Sequence, residues 1–178
     1  MFRPSKIAFV TVGATAPFNA LIAACLSSTV IAALGTQGYT DLRVQYGEGR
    51  SVFEQWLATT VGSRHSVSVS GFDFADSLRE EIAAADLVIS HAGSGSILDA
   101  LRFQKRLIVV PNESLMDNHQ KELSGELERQ GYLVEGHVED LHNAIYQVEG
   151  VAFTHFPGSG SKNFIAIVDE EMGMLNLG

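Results

Sequence analysis

Apolar and polar residues follow two regular patterns along the chain, one typical of strands and the other of helices. Six short runs are rich in apolar and β-branched residues, and the runs IAFVTV, LVIS and LIVV are almost continuously apolar. Such continuity is typical of strands that are covered on both faces. The six predicted strands are residues 6–12, 42–46, 66–72, 87–90, 107–110 and 132–134.

The segments between these runs carry apolar residues at helical spacing. Such stripes begin at Phe18, Val52, Leu78 and Leu123. Alternating strands and helices predict βαβ crossovers between neighbouring strands. We therefore expect an α/β fold with a Rossmann-like, doubly wound and mostly parallel sheet.

Three local signals predict where individual helices begin or end. Pro17 suits the first turn of the first helix. The sequence Ser77-Leu-Arg-Glu80 has the pattern of a capping box at a helix start. Gly131 is expected to end the helix that begins near Asp117.

Two segments share features with targeting or membrane sequences. Residues 1–16 carry Arg3 and Lys6 before an apolar run and then Ala-Thr-Ala, but the run is short even for a signal core of about 7–15 residues and favours a buried first strand. Residues 18–34 are apolar but interrupted by polar positions, whereas a spanning helix needs about 20 mainly apolar residues. We expect one core helix there and no membrane span.

The helix and strand pattern weakens after Gly150. The following proline and glycine residues favour an exposed connector. A last amphipathic stretch has apolar residues near one face, which are Phe164, Ile165, Val168, Met172 and Leu175. We expect one domain over residues 1–150, a connector over 151–163 and a terminal helix over 164–178. The pattern leaves open whether this helix docks onto a partner or packs on its own domain.

Composition narrows the function classes. The chain has 178 residues, with 12 Lys and Arg against 21 Asp and Glu and a net charge of −9. This charge argues against nucleic acid or anionic lipid held by bulk attraction, so any phosphate must be bound locally. The single cysteine, Cys25, excludes an internal disulfide and fits a reducing compartment.

Two turns rich in small residues follow predicted strands. In an open parallel sheet, ligands bind where the carboxyl ends of strands meet helix N-termini. Small side chains let the backbone approach a ligand, and free N–H groups attract phosphate without a lysine. The candidate residues are Gly13, Ala14 and Thr15 after the first strand and His91, Gly93, Ser94, Gly95 and Ser96 after the fourth.

Several familiar sites are excluded or disfavoured. The third glycine of the dinucleotide fingerprint is missing after Gly93 and Gly95, and no Walker lysine follows either turn. The second strand ends in Gln45 rather than in an acidic ribose ligand. The histidines and carboxylates near residue 140 lack metal-ligand spacing, so we predict no metal and no cofactor. No nucleophile elbow is present.

Asp99 allows two interpretations. In Ser96-Ile-Leu-Asp99 the aspartate stands in the place of the glutamate of a capping box, which would simply start the helix. A carboxylate in the first turn of a helix beside a phosphate-binding turn can instead accept both hydroxyls of a ribose. The residues alone leave both interpretations open.

A third polar group follows the fifth predicted strand. Its side chains suit the hydroxyls and the amide of a sugar, although an ordinary helix start capped by Ser114 or Asp117 has the same pattern. His91 is likewise open to a packing role or a role as a base. The candidate residues of this group are Asn112, Asp117, Asn118, His119 and Gln120.

Three segments together resemble one family of glycosyltransferases. They are residues 91–102, 107–112 and 114–120, and the segments 9–15 and 71–74 match as well. The resemblance is to the small cytosolic subunits of the two-chain N-acetylglucosaminyltransferases of dolichol-linked oligosaccharide synthesis. A more distant likeness is to the C-terminal half of the bacterial enzyme that adds N-acetylglucosamine to a lipid-linked peptidoglycan precursor.

The resemblance implies half of a GT-B fold, in which two Rossmann-like domains flank the active site. It implies that this chain binds UDP-GlcNAc and that a membrane-anchored partner, docked through residues 164–178, supplies the acceptor half. The implied reaction adds a second GlcNAc to dolichyl-diphospho-GlcNAc, with inversion, on the cytosolic face of the endoplasmic reticulum.

The resemblance also implies roles for the candidate residues. The turns at 13–15 and 93–96 would hold the diphosphate, and Asp99 the ribose. Asn118, His119 and Gln120 would hold the GlcNAc hydroxyls. The general base is unassigned, because it tends to lie on the acceptor-side domain; His91 is the candidate in this chain. Two alternatives are a non-catalytic nucleotide-sugar-binding regulatory module and a homodimeric Rossmann enzyme.

Overall fold

The computed structural model contains one parallel sheet flanked by helices. It describes residues 4–60, 66–115 and 118–157, without the side chains of Asn118 and His119. Six strands lie in the order β3-β2-β1-β4-β5-β6, and every neighbouring pair is parallel. They are β1 (Ile7–Thr11), β2 (Asp41–Gln45), β3 (Ser68–Phe72), β4 (Leu87–Ser90), β5 (Arg106–Val109) and β6 (Val134–Glu135). The predicted doubly wound α/β sheet is confirmed, strand for strand.

Seven α-helices connect or follow these strands within the described residues. Two short 3-10 helices, Gly47–Gly49 and Glu113–Leu115, precede α3 and α6. The α-helices are α1 (Asn19–Cys25), α2 (Ser28–Thr36), α3 (Arg50–Thr60), α4 (Arg79–Ala84), α5 (Ser94–Arg102), α6 (Asn118–Arg129) and α7 (Leu141–Gly150). Strand order reverses between β1 and β4, which makes the carboxyl ends of these strands the expected ligand crevice.

Each face of the sheet carries its own apolar core. Ala8 and Val10 of β1 face a cluster formed with α1, α2 and α7, whereas Phe9 between them faces a cluster formed with α4, α5 and α6. Successive side chains of a strand point to opposite faces, so a strand covered on both sides is apolar throughout. This arrangement explains the continuous apolar runs in the sequence.

The apolar stretch over residues 18–34 is not the single helix that the pattern predicts. It forms α1 and α2, because Ser27 interrupts the first helix and starts the second, its Oγ accepting from the backbone N–H of Val30 at 3.3 Å. No single described helix is both long and apolar enough to cross a membrane. Among the described helices, one pair, α1 and α2, reaches that length and composition together, and the two are bent by 52° relative to each other.

Of the three local signals for helix ends, the predicted C-terminus at Gly131 is confirmed, and the two predicted N-termini are wrong. Gly131 ends α6 with φ +80°, and its N–H donates to the Glu128 carbonyl at 2.8 Å, as predicted. Pro17 lies before α1, which begins at Asn19. The predicted capping box at Ser77 does not form, since its Oγ accepts from the N–H of Arg79 at 3.2 Å, one residue earlier than the box requires.

The segment after α7 is packed more closely than the predicted exposed connector. Phe156 is 2% exposed and lies in the cluster with α5 and α6. Its N–H donates to Oε1 of Gln104 at 3.2 Å, and Gln104 Nε2 donates to the Phe156 carbonyl at 2.7 Å. These two bonds attach the segment to the end of α5. The predicted terminal helix, residues 164–178, lies outside the described residues.

Candidate ligand-binding site

A cavity of about 420 Å³ opens at the carboxyl edge of the sheet. Both small-residue turns predicted from the sequence line it, together with the end of β2, the loop between β3 and α4, and one residue of α6. The lining residues are Gly13, Ala14, Thr15, Gln45, Phe74, Ala75, Asp76, Ser77, Leu78, His91, Gly93, Ser94, Gly95, Ser96 and Gln120. Nine of the predicted site residues are therefore brought together at one place.

The first turn depends on glycine for two reasons. Gly13 has φ +77°, a left-handed conformation that other residues adopt at a cost. A Cβ at Gly13 would also lie 2.3 Å from Nε2 of His91, and a Cβ at Gly93 would lie 2.5 Å from the same atom. The imidazole thus fills the space between the two turns, where only glycine leaves room for it.

The second turn presents the N-terminus of a nine-residue helix to the cavity. Gly93 is the N-cap of α5 and supplies no side-chain cap, so the N–H groups of the first turn are open to a ligand. A Cβ at Gly95 would meet nothing within 4 Å, which shows open space beside these N–H groups. Backbone donors and the positive end of a helix favour a bound anion.

The structure excludes the capping interpretation of Asp99. Because α5 begins at Ser94, both Ser96 and Asp99 lie inside the helix rather than at its start. The Asp99 carboxylate instead lies near two guanidinium groups, 3.4 Å from Nη1 of Arg79 and 3.9 Å from Nη1 of Arg102. It lies one helical turn beyond Ser96, which lines the cavity.

His91 is a neutral lining residue at pH 7. Burial lowers the pKa of its imidazole, and the backbone of Thr11 partly opposes this shift. Its Nδ1 is buried, and within the described part of the chain it has no hydrogen-bond partner. A neutral ring offers no charge to a phosphate, so attraction at this point rests on the backbone N–H groups.

Six lining residues were not among the predicted site residues, and two of them, Gln45 and Phe74, stand out. Gln45 is 2% exposed and bonds to backbone groups on both sides of the cavity. Phe74 is 50% exposed, so the face of its ring is available to a ligand at the cavity wall. A neutral amide at the carboxyl end of β2, at the edge where the two small-residue turns lie, is the signal that could have identified Gln45; Phe74 has none.

The two described members of the polar group after β5 line different cavities. Asn112 lines a second cavity of about 220 Å³, beside Phe18 and Val138, and its Oδ1 accepts from the N–H and Oγ of Ser114 at 3.2 and 2.6 Å. Gln120 lines the main cavity instead. The candidates Asp117, Asn118 and His119 have side chains outside the described residues.

Comparisons with known proteins agree with this geometry. Residues 7–155 match the glycosyltransferase family 28 C-terminal domain. Proteins called UDP-N-acetylglucosamine transferase subunit ALG13 are similar along most of the chain. The protein from Eremothecium gossypii is 33% identical over 93% of this chain and 92% of its own length, and that from Saccharomyces cerevisiae is 38% identical over 72% and 76%.

Other matches cover only part of the relative. The protein of that name from Yarrowia lipolytica is 46% identical, but the match spans 64% of its length, and the match to the human protein spans 11%. Among solved structures, the solution structure of ALG13 has a TM-score of 0.74 at 32% identity, covering 92% of this chain and 94% of that chain.

A crystal structure of Acinetobacter baumannii MurG extends the likeness in fold. It has a TM-score of 0.60 at 17% identity and covers 83% of this chain but only 40% of that one. The described domain thus has the architecture of one half of a GT-B glycosyltransferase. Since the family match spans nearly all the described residues and relatives above 30% identity align over most of their own lengths, this chain belongs to the glycosyltransferase family 28 C-terminal domains.

Proposed function

We propose that this chain is the donor-binding subunit of a heteromeric, inverting glycosyltransferase that uses UDP-GlcNAc. The observation that carries the proposal is the cavity between the turns at Gly13 and Gly93, lined by backbone N–H groups and a helix N-terminus. This is the chemistry that holds a diphosphate without a metal. Relatives called UDP-N-acetylglucosamine transferase subunits support the identity of the sugar nucleotide.

The cavity carries few charged side chains, which fits a leaving diphosphate that is stabilised by backbone N–H groups and the helix dipole of α5. Among the described residues that line the cavity, Asp76 is the one carboxylate, and His91 is neutral. Preorganised N–H groups aimed at the diphosphate would stabilise the charge that develops as the bond to the sugar breaks. Their effect is strongest where water is excluded, which a partner covering the cavity would achieve.

The remaining walls fit the other parts of the donor. Phe74 offers an exposed aromatic ring on which a base can stack. Asp99, one turn into α5 from the cavity, would accept the ribose hydroxyls, and Gln120 would bond the GlcNAc. Asn118 and His119 precede Gln120 in the first turn of α6 and are assigned to the same sugar.

The acceptor half is assigned to a second chain. The domain covers 40% of the MurG chain that it resembles, and its candidate cavity is at an open edge of the sheet. We propose that a membrane-anchored partner binds dolichyl-diphospho-GlcNAc, supplies the general base and docks through residues 164–178. The complex would act on the cytosolic face of the endoplasmic reticulum and add the second GlcNAc with inversion.

One experiment tests the split site. The full chain is purified alone and after co-expression with the membrane subunit, and transfer of GlcNAc from UDP-GlcNAc to the lipid acceptor is measured. We expect UDP binding by the chain alone but transfer only by the complex. Transfer by the chain alone would contradict the need for a partner, and absence of UDP binding would contradict the donor role. If the chain were instead a non-catalytic regulatory module, it would bind UDP-GlcNAc, and Gln120→Ala would not change the rate of transfer by the complex.

A further inference from the structure

The side chain of Gln45 lies between two walls of the cavity. It stands at the end of β2, is 2% exposed and lines the cavity floor between the first turn and the loop after β3. Burial of an amide is costly unless all its polar atoms are bonded. The hydrogen bonds of the Gln45 side chain therefore show which residue type this position requires.

All hydrogen-bonding positions of this amide are used within the protein. Oε1 accepts from the hydroxyl of Thr11 at 2.7 Å and from the N–H of Val12 at 3.1 Å. Nε2 donates to the carbonyls of Gly13 at 3.1 Å and Asp73 at 2.9 Å. A side-chain amide has two donors and one carbonyl with two lone pairs, so nothing remains to bind a ligand.

These partners also determine which way the amide faces. The backbone N–H of Val12 can only donate, and the carbonyls of Gly13 and Asp73 can only accept. A carboxylate in place of the amide would keep the bonds of Oε1 and would set a negative oxygen against two carbonyls. The position therefore requires glutamine and excludes its charged isostere.

The two carbonyls belong to opposite walls of the cavity. Gly13 precedes Ala14 and Thr15, whose N–H groups belong to the diphosphate turn. Asp73 precedes Phe74, the exposed ring of the other wall, and the Asp73 carbonyl also accepts from the N–H of Gly47 at 3.1 Å. One side chain thus sets the relative position of the phosphate turn and the aromatic wall.

We propose that Gln45 is a positioning residue for the sugar-nucleotide donor, holding the turn at Gly13 and the loop at Asp73 at the separation that a nucleoside diphosphate spans. This inference rests on the proposed donor role of the cavity. Gln45 acts through the backbone of its neighbours and does not contact the donor.

The test uses Gln45→Glu in the full chain, with UDP binding measured by calorimetry and kinetics measured in the complex with the membrane subunit. We expect UDP affinity to fall at least about tenfold, because small displacements of binding groups are costly. The KM for UDP-GlcNAc should rise by the same factor while the KM for the lipid acceptor is unchanged. A merely structural role would lower the amount of folded enzyme and leave both KM values unchanged.

The control is Ser124→Ala, at another fully buried polar side chain, whose Oγ donates to Glu135 Oε2 at 2.6 Å on the β6 side of the domain. It should lower the melting temperature without changing UDP affinity. If Gln45→Glu does not fold, Thr11→Val removes the hydroxyl that donates to Oε1 at 2.7 Å and accepts from the N–H of Gly13 at 3.3 Å, so it weakens the attachment of the same turn. We expect a smaller loss of UDP affinity, about threefold.

The outcomes separate the two proposals. Wild-type chain that does not bind UDP overturns the donor role itself. Wild-type chain that binds UDP, together with folded Gln45→Glu or Thr11→Val that bind it equally well, overturns the positioning role and leaves the donor role intact. Selective loss of donor affinity in folded Gln45→Glu supports both proposals, and a loss in Thr11→Val supports the role of the bonded group that Thr11 and Gln45 form beneath the Gly13 turn.

Discussion

Arg79 contacts Asp99 from a neighbouring helix: Nη1 of Arg79 lies 3.4 Å from Oδ1 of Asp99. Cζ of the same guanidinium lies 5.1 Å from the centre of the Phe103 ring. Arg79 begins α4 and Asp99 lies in α5, so the contact links two helices that flank the cavity. Exposed ion pairs contribute little to stability. The contact therefore adds little to stability, but it restricts the orientation of the Asp99 carboxylate.

Asp99→Ala tests the ribose role. We expect UDP affinity to fall roughly tenfold or more, because a carboxylate bonded to hydroxyls contributes about 1.5–3 kcal/mol. The free energy of unfolding should fall by at most about 1 kcal/mol, since the residue is not a cap. Calorimetry with UDP and denaturant unfolding measure the two effects. Glu126→Ala is the control, because Glu126 is another part-exposed helical carboxylate paired with an arginine three residues later and does not line the cavity. An unchanged affinity in Asp99→Ala would contradict the role.

Gly95→Asp should change stability and binding in opposite directions. A carboxylate in the first turn of α5 stabilises the helix dipole by about 0.3–1 kcal/mol, and the space around Gly95 accommodates a side chain. The same charge repels a diphosphate at that helix end. We expect a melting temperature that is equal or higher and a UDP affinity at least about tenfold lower. Gly95→Asn provides the uncharged control; equal UDP affinity in the two variants would rule out an anion at this turn.

Gly13→Ala can be compared with Gly38→Ala, since both glycines have positive φ. Each alanine should cost about 1–2 kcal/mol of stability through its backbone conformation. Gly13→Ala also collides with His91, whereas a Cβ at Gly38 meets nothing within 4 Å. Gly38 lies before β2, at the opposite edge of the sheet. Only Gly13→Ala should weaken UDP binding, and a similar loss in both variants would count against a site at this turn.

The buried imidazole of His91 predicts a pH dependence of stability. Burial lowers its pKa from the ordinary value of 6.5, so the unfolded chain binds a proton more readily than the folded one. The stabilisation is fully present above that value and is lost as the pH falls from it through the lower folded pKa. His91→Asn should make the unfolding free energy less dependent on pH between about 7 and 5.

Removal of residues 164–178 tests the docking proposal. Phe156 and Gln104 attach the chain to α5 before that point, so the shortened domain should keep a cooperative melt at nearly the same temperature. We expect co-purification with the membrane subunit to be lost. A shortened chain that still recruits the subunit would place the docking surface on the domain itself.

Strands and glycine turns were predictable because their causes are local. Residues 87–90 are apolar at every position, and β4 has these same bounds. The two small-residue turns follow strands that lie side by side, so their meeting at one edge follows from parallel topology. The role of Asp99 was harder to predict. A serine followed three residues later by an acidic residue has the pattern of a capping box, whether or not a helix starts at that serine.

The amino-acid sequence by itself determined the sheet, its strands and the two small-residue turns. The spacing of apolar residues specifies the strands and helices, and the parallel direction of the strands places both turns at one edge of the sheet. Only the tertiary structure decided that α5 starts at Ser94, that Asn112 lies in a separate cavity and that Gln45 joins two walls. Those features depend on contacts between residues distant in sequence, and no local pattern records which backbone groups a folded chain will bring within reach of one side chain.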